Sequence, residues 1–201
     1  MSASARAPVG GVADPRVPLD HPLGRRISIV GGGGKTTLAR ALSVKLRLTF
    51  IELDALHWKP GWVESSADEL RAKTEGAIAA APDGWVVDGQ YHGKIGDLVV
   101  RQADTVIWVN MPWRVMFCRV FNRALQRAKD RQKICGENYE SWRQIFFSPK
   151  SLLWWHITSR RRYRQRGERL LPMIPAGVPL IDLSSPKLLD RFYDTHGLSR
   201  E

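Results

Sequence analysis

Apolar residues in this chain alternate between short continuous runs and stretches where they recur every three or four positions. The first kind predicts buried strands and the second helices packed on them. Arg26–Val30 (RISIV) is a strand, and Leu38, Ala41, Leu42 and Leu46 behind it are spaced for a helix. Leu48–Leu53 (LTFIEL) is a second strand ending at Asp54, followed by a loop that carries Trp58 and Trp62. Ser66-Ala67-Asp68-Glu69 has the form of a capping box and opens a helix bearing Leu70, Ala77, Ile78 and Ala81, which Pro82-Asp83-Gly84 ends. Trp85–Val87 is a third strand ending at Asp88, and Thr105–Val109 a fourth, with a short helical piece over Asp97–Gln102 between them. Pro112 starts a long helix, helix-like stretches cover Tyr139–Phe147 and Ser151–Gly167, and Val178–Leu183 is a fifth strand. Ser185-Pro186 then caps and starts a last helix with Leu188, Leu189 and Phe192 facing inward.

Strands that alternate with helices predict an α/β fold, a parallel sheet covered on both faces. Ligands of such sheets bind at the carboxyl ends of the strands, where Asp54, Asp88, Asn110 and a run of glycines all fall. A chain of 201 residues, 43% hydrophobic, suffices for one core. One domain is therefore expected over 25–201, with a basic helical lid inserted at about 112–170. Residues 1–24 are rich in Ala, Pro and Gly and lack an apolar h-region, so a disordered tail is expected there, neither signal peptide nor anchor. No apolar run reaches the ~20 residues of a membrane span, and no membrane partner is expected. Cys118 and Cys135 have no metal-ligand spacing; they predict small buried side chains in a reducing, cytoplasmic protein.

The net charge of +11 changes this picture once it is located. Pro112–Leu170 holds 15 Lys+Arg against 4 Asp+Glu, while the remaining 16 basic and 16 acidic residues cancel. The whole excess lies in one segment, which points to a polyanionic partner, a nucleoside triphosphate or a nucleic acid.

The stretch Val30-Gly31-Gly32-Gly33-Gly34-Lys35-Thr36-Thr37 follows the first strand and opens the first helix. A helix N-terminus offers unpaired N–H groups and a positive dipole end to an anion, and glycines let the backbone approach phosphate oxygens. Lys35 would then reach the terminal phosphates and the Thr36 hydroxyl would ligate Mg²⁺. The spacing fits a short template, G-x-x-G-K-[ST], running from Gly31 to Gly34, rather than the usual G-x-x-x-x-G-K-[ST]. Asp54 and Asp88 end neighbouring strands; one of them is expected to serve the metal and the other to accept a proton from an acceptor hydroxyl. Arg119, Arg123, Arg127 and Arg131 recur every four residues, the first three on one helix face, where they can neutralise a transferred phosphoryl group. His57 and His92 follow the two aspartates and are candidates to line a substrate pocket, whereas Trp58 and Trp62 are expected chiefly to pack. No Cys/His cluster predicts bound zinc.

With these pieces assembled, the chain from about Arg26 to His196 resembles the adenylate-kinase-like P-loop proteins of the topology modulation protein family. The resemblance is carried by LDALHWKPGW (Leu53–Trp62), WVVDGQY (Trp85–Tyr91), QADTVIWVNMP (Gln102–Pro112), the R-x-x-x-R of Arg119 and Arg123, GENYESW (Gly136–Trp142) and FSPKSLLWW (Phe147–Trp155). It implies a three-layer P-loop nucleotide-kinase-like fold with five parallel strands in the order 2-3-1-4-5, ATP and Mg²⁺ as ligands, and an arginine-bearing lid. By that likeness Gly31, Gly32, Gly33, Gly34, Lys35, Thr36 and Thr37 bind phosphate, and Thr36 and Asp88 serve the metal. Lys35, Asp54, Asp88, Arg119 and Arg123 form the catalytic set, and Ser184–Lys187 lies against adenine. The chain departs from the family at the glycine loop, two residues shorter than G-x-x-G-x-G-K-[ST], and at Gln90 and Asn110.

The reading that follows is a phosphotransferase moving the γ-phosphoryl group of Mg-ATP to a small acceptor. The alternative is a weakly nucleotide-binding regulatory or DNA-binding protein on a kinase scaffold. Nucleic acid is the less favoured partner, because Phe117, Phe121 and Leu125 interrupt the basic segment as helix-core residues would.

Overall fold

A computed structural model describes residues 14–130, 133–134, 138–139 and 169–200. Five parallel strands form the sheet: β1 (Arg26–Gly32), β2 (Thr49–Glu52), β5 (Trp85–Asp88), β6 (Thr105–Asn110) and β9 (Leu180–Leu183). Their spatial order is β2-β5-β1-β6-β9, the 2-3-1-4-5 order expected, with β1 at the centre. Alternate residues of each strand enter opposite cores, as the two-residue period of a strand requires. Ile27, Ile29, Val86, Ile107 and Val109 face one side, beneath α1 (Lys35–Leu46), α6 (Trp113–Asp130) and α7 (Pro186–Thr195), which contribute Leu38, Leu42, Met116, Leu189 and Phe192. Val30, Ile51, Val87, Val106 and Trp108 face the other, beneath α3 (Ala67–Ala79), α4 (His92–Ile95) and α5 (Leu98–Gln102) with Leu70, Ile95 and Val99. The result is a three-layer α/β fold. Both faces of the strands are buried, which is why their sequences read as runs rather than alternations.

Local signals placed the elements with differences that have physical causes. The capping box forms: Ser66 Oγ accepts from Glu69 N–H, and the Glu69 carboxylate accepts from Ser66 N–H at 2.8 Å. The last helix is capped by Ser185 Oγ, which accepts from Leu188 N–H. The run Leu48–Leu53 yields a shorter strand, because its neighbour β5 ends at Asp88, opposite Glu52. Leu53–His57 turns instead into the short helix α2. The tryptophan loop is a small antiparallel hairpin, β3 (Trp58–Lys59) with β4 (Val63–Glu64). A second short hairpin pairs β7 (Lys133–Ile134) with β8 (Asn138–Tyr139). The helix-like stretch Ser151–Gly167, and all but the first residue of Tyr139–Phe147, lie outside the described residues.

Two expectations are corrected. Of residues 1–24, placed in a disordered tail by their composition, 1–13 lie outside the described residues, while Pro15–Val17 pair along the open edge of β9: Leu180 N–H donates to Pro15 O at 2.8 Å and Val17 N–H to Leu180 O at 3.0 Å. Val17, Leu19 and Leu23 cover the adjoining core, and the Asp104 carboxylate accepts from the N–H groups of Arg25 and Arg26 at 3.0 Å. Such pairing shields an edge strand and leaves almost no mark on composition. Cys118, expected to be buried, is exposed on α6. No helix among the described residues is long and apolar enough to cross a membrane.

Candidate active site

Strand β1 does not stop at Val30. It stays in register with β6 through Gly31, opposite Val109, and Gly32, opposite Asn110. Only Gly33 and Gly34 connect it to α1, with φ of 85° and 140°. Gly31 is itself at φ 102°, and a Cβ there would stand 2.2 Å from Val109 O, so the close approach of the two strands demands glycine. Helix α1 has no side-chain cap and no acidic residue in its first turn. The first amide to donate within the regular helical ladder is Leu38 N–H, bonded to Gly34 O, which leaves the N–H groups of Lys35, Thr36 and Thr37 directed toward the cleft end of the helix.

The predicted acids and donors converge there. Asp88, 3% exposed, accepts from Lys35 Nζ at 2.8 Å through Oδ1 and from Thr36 Oγ1 at 2.6 Å through Oδ2. Asp54, in α2, accepts from the Tyr91 hydroxyl at 2.6 Å. Arg119 donates to Gly33 O at 2.5 Å, which brings α6 directly onto the glycine loop. All of Gly31–Thr37, with Asp54, Arg119 and Arg123, lines one cleft of about 640 Å³. Asp88 does not itself line the cleft; it is joined to it through its bonds to Lys35 and Thr36.

Sequence reasoning missed several residues of this site. Gln90 and Tyr91 line the cleft, and they belong to the WVVDGQY stretch singled out for Asp88 alone. Leu189 and Tyr193 of α7 and Arg200 beyond it line the opposite wall, with the Arg200 guanidinium over the Tyr193 ring and paired with Asp190. Burial holds the Tyr193 phenol above its usual range, opposed by the Arg200 and Arg119 charges. Glu52 stands beside Asp88 in the sheet. Burial raises its carboxyl, as do the charges of Asp88 and Asp54, while Arg40 and Arg127 oppose them. The third arginine of the row thus acts on Glu52 rather than on the cleft.

Other candidates fall elsewhere. Ser184–Lys187 do not line the cleft, which meets α7 from Leu189 onward. His57 is 2% exposed and packs between Trp58 and Tyr91, with ring centroids 4.8 and 4.5 Å away. Desolvation lowers its pKa, the nearby Lys94 adds to the effect, and Glu64 opposes it. His92 is turned away from the cleft into a small internal pocket. Trp58 and Trp62 pack edge to face at 5.5 Å. The β3–β4 hairpin that they anchor is tied to β8 by Asn138, whose Oδ1 accepts from Trp62 N–H at 2.9 Å and whose Nδ2 donates to Lys59 O at 3.0 Å.

For a divalent cation, the pair Thr36 Oγ1 and Asp88 supplies hard oxygen donors, the type Mg²⁺ takes. Among the described residues no group of three or more His, Cys, Asp or Glu side chains is arranged to hold a metal. The set therefore fits Mg²⁺ that arrives with phosphate oxygens, not a resident ion in a protein cage.

No family model matches the chain, and no curated protein does. Among solved structures it is similar to an unliganded sugar kinase from a Janibacter species, at 18% identity over 89% of this chain and 97% of that one, with a TM-score of 0.41. A likeness that distant assigns no activity. The fold rests on the sheet order and layers described above, and the comparisons do not support membership of the topology modulation family.

Proposed function

We propose that the chain binds Mg-ATP at the Gly33–Thr37 turn and transfers the γ-phosphoryl group to a small acceptor. The observation that carries this reading is the convergence of Lys35 and Thr36 on the buried Asp88 at an uncapped helix N-terminus. Phosphate oxygens would meet the N–H groups of Lys35, Thr36 and Thr37. On binding, Lys35 exchanges Asp88 for the phosphates, and Asp88 and Thr36 are left to hold Mg²⁺. Held by Thr36 and Asp88, the ion would supply positive charge that offsets the negative charge developing on the phosphate oxygens. Arg119 and Arg123 flank the transferred group from α6 and contribute the same kind of charge stabilisation. Asp54, which lines the cleft with Tyr91 and Gln90, would accept the proton of an acceptor hydroxyl.

Arg119 and Arg123 both line the cleft, Arg123 while remaining exposed, so a nucleotide bound in the cleft would meet both guanidinium groups. The test is calorimetric titration with Mg-ATP, followed by ATP consumption across nucleosides, nucleotides and small alcohols, using wild type and Lys35→Ala. Binding and turnover that depend on Lys35 are expected; equal behaviour of the two proteins would refute the proposal.

A further inference from the structure

Directly behind the Gly89–Tyr91 wall of the cleft lies a second, much smaller pocket of about 10 Å³. Most of its lining is apolar: Val30, Leu53, Ile95, Val99 and Val100. Four polar residues interrupt that lining, Ser28 from β1, Gln90 and Tyr91 from the cleft wall, and His92 from α4; the Tyr91 hydroxyl is engaged with Asp54. Ser28 is fully buried, and among the described residues neither Ser28 Oγ nor His92 Nε2, itself inaccessible, has a hydrogen-bond partner. Two orphaned polar atoms on residues that line one pocket are the exception in a folded protein, since each leaves a desolvation cost uncompensated.

The other ring nitrogen fixes what Nε2 can do. His92 Nδ1 lies 3.0 Å from Gly96 O. A carbonyl oxygen only accepts, so Nδ1 carries a proton, and in the tautomer that holds this single proton Nε2 presents an acceptor lone pair. Ser28 Oγ can donate or accept. A group that fits between them must donate to Nε2, bond the hydroxyl in either sense, and need no more than about 10–15 Å³, the room of a single water.

We propose that Ser28 and His92 bind one structural water, which ties the phosphate-loop strand β1 to the turn that presents Gln90 and Tyr91 to the cleft. The water donates one hydrogen to His92 Nε2 and shares a second bond with Ser28 Oγ. It closes the polar ledger of the pocket and braces the turn from behind. The turn's own bonds, Gly89 N–H to Ile29 O at 3.1 Å and Gly96 N–H to His92 O at 3.1 Å, flank it on either side.

A high-resolution crystal structure of the wild-type protein should show one ordered water within hydrogen-bonding distance of both atoms. A dry pocket, or a direct Ser28–His92 bond made by rotated side chains, overturns the proposal. The variants give opposite signs for the two cases. With a bridging water, Ser28→Ala lowers Tm, and it speeds amide exchange at Gly89 and Gly96 about tenfold while β6 amides keep their protection. In a His92→Leu background that penalty shrinks, because the bridge is already gone. In a dry pocket, Ser28→Ala removes an orphaned hydroxyl and leaves Tm unchanged or raised in both backgrounds, which likewise refutes the water. Nitrogen chemical shifts of His92 provide an independent check, expected to show Nδ1 protonated and Nε2 accepting; the reverse tautomer contradicts the bonding assigned.

Discussion

Replacing Asp88 by Asn separates the structural role of this residue from its proposed metal role. In the free protein the Asp88 carboxylate accepts from both Lys35 and Thr36, and a carboxamide of the same shape can accept through one atom only. Its NH₂ group must then face a second donor. Hydrogen bonds to charged groups contribute about 1.5–3 kcal/mol. Lys35 keeps 18% of its side-chain exposure and can partly rehydrate, so the loss stays below the about 3–5 kcal/mol of breaking a fully buried pair. We expect about 2 kcal/mol, and hence a fall in Tm of about 4–8 °C for a domain of this size. Nucleotide affinity should move in two directions. Without Mg²⁺, removing a negative charge beside the phosphates and releasing Lys35 tightens ATP binding by about 1 kcal/mol, roughly fivefold. With Mg²⁺, loss of a carboxylate that holds the ion weakens binding, by about tenfold if the loss is about 1.4 kcal/mol. Thermal unfolding and calorimetry with and without Mg²⁺ read both effects. An unchanged Tm would refute the ion-pair argument, and affinities that shift together by one factor would refute a metal role for Asp88.

Other perturbations test other parts of the fold. Gly31→Ala combines a φ of 102° with a Cβ 2.2 Å from Val109 O and should cost at least about 3 kcal/mol. Gly61→Ala, at φ 75° with open space around it, should lose only about 1–2 kcal/mol; similar unfolding midpoints for the two variants would contradict the steric argument. Asn138→Ala withdraws the acceptor of Trp62 N–H and the donor to Lys59 O. Its about 1–3 kcal/mol should show as faster local exchange at the β3–β4 hairpin rather than as a large drop in Tm. The lowered pKa of His57 carries a pH signature. Stability from its buried neutral ring is complete above the unfolded value near 6.5 and declines as pH falls through 6.5 toward the folded value, because the unfolded chain protonates first. His57→Phe should flatten that decline in unfolding midpoints between pH 7.5 and 5.5, and an equal slope in both proteins would exclude His57 as its source.

The parallel sheet was legible because its strands are buried on both faces and each is punctuated by glycine, proline or an acid. Asp54, Asp88 and the glycine run share one edge for the same reason: in such a sheet every strand ends on the same side. The β3–β4 hairpin was not legible, since strands of two residues have no period and Trp62 turns at a positive φ of 60° that its side chain does not advertise. Nor was the switch at Leu53. An apolar residue after Glu52 extends the run, and only the end of the neighbouring strand at Asp88 stops the pairing. The α7 wall of the cleft is a matter of tertiary packing: Leu189, Tyr193 and Arg200 come beside residues more than 150 positions earlier, and no local motif marks them.

On the function proposed above, the short glycine turn would make a particular kind of anion site. Register with β6 holds Gly31 and Gly32 in the sheet, so two residues that a longer loop would use to wrap a phosphate are committed to strand pairing. What remains on the backbone is the Gly33–Gly34 corner and the first amides of α1. Charge is supplied from another element: Arg119 reaches the corner itself, bonded to Gly33 O, and Arg123 lines the cleft one turn further along α6. Backbone donors are fixed by the strand and helix that carry them, whereas guanidinium groups on α6 depend on how that helix sits. On the function proposed above, the grip on a phosphate would therefore depend on α6 as well as on the glycine turn, and the Arg119–Gly33 bond couples the two.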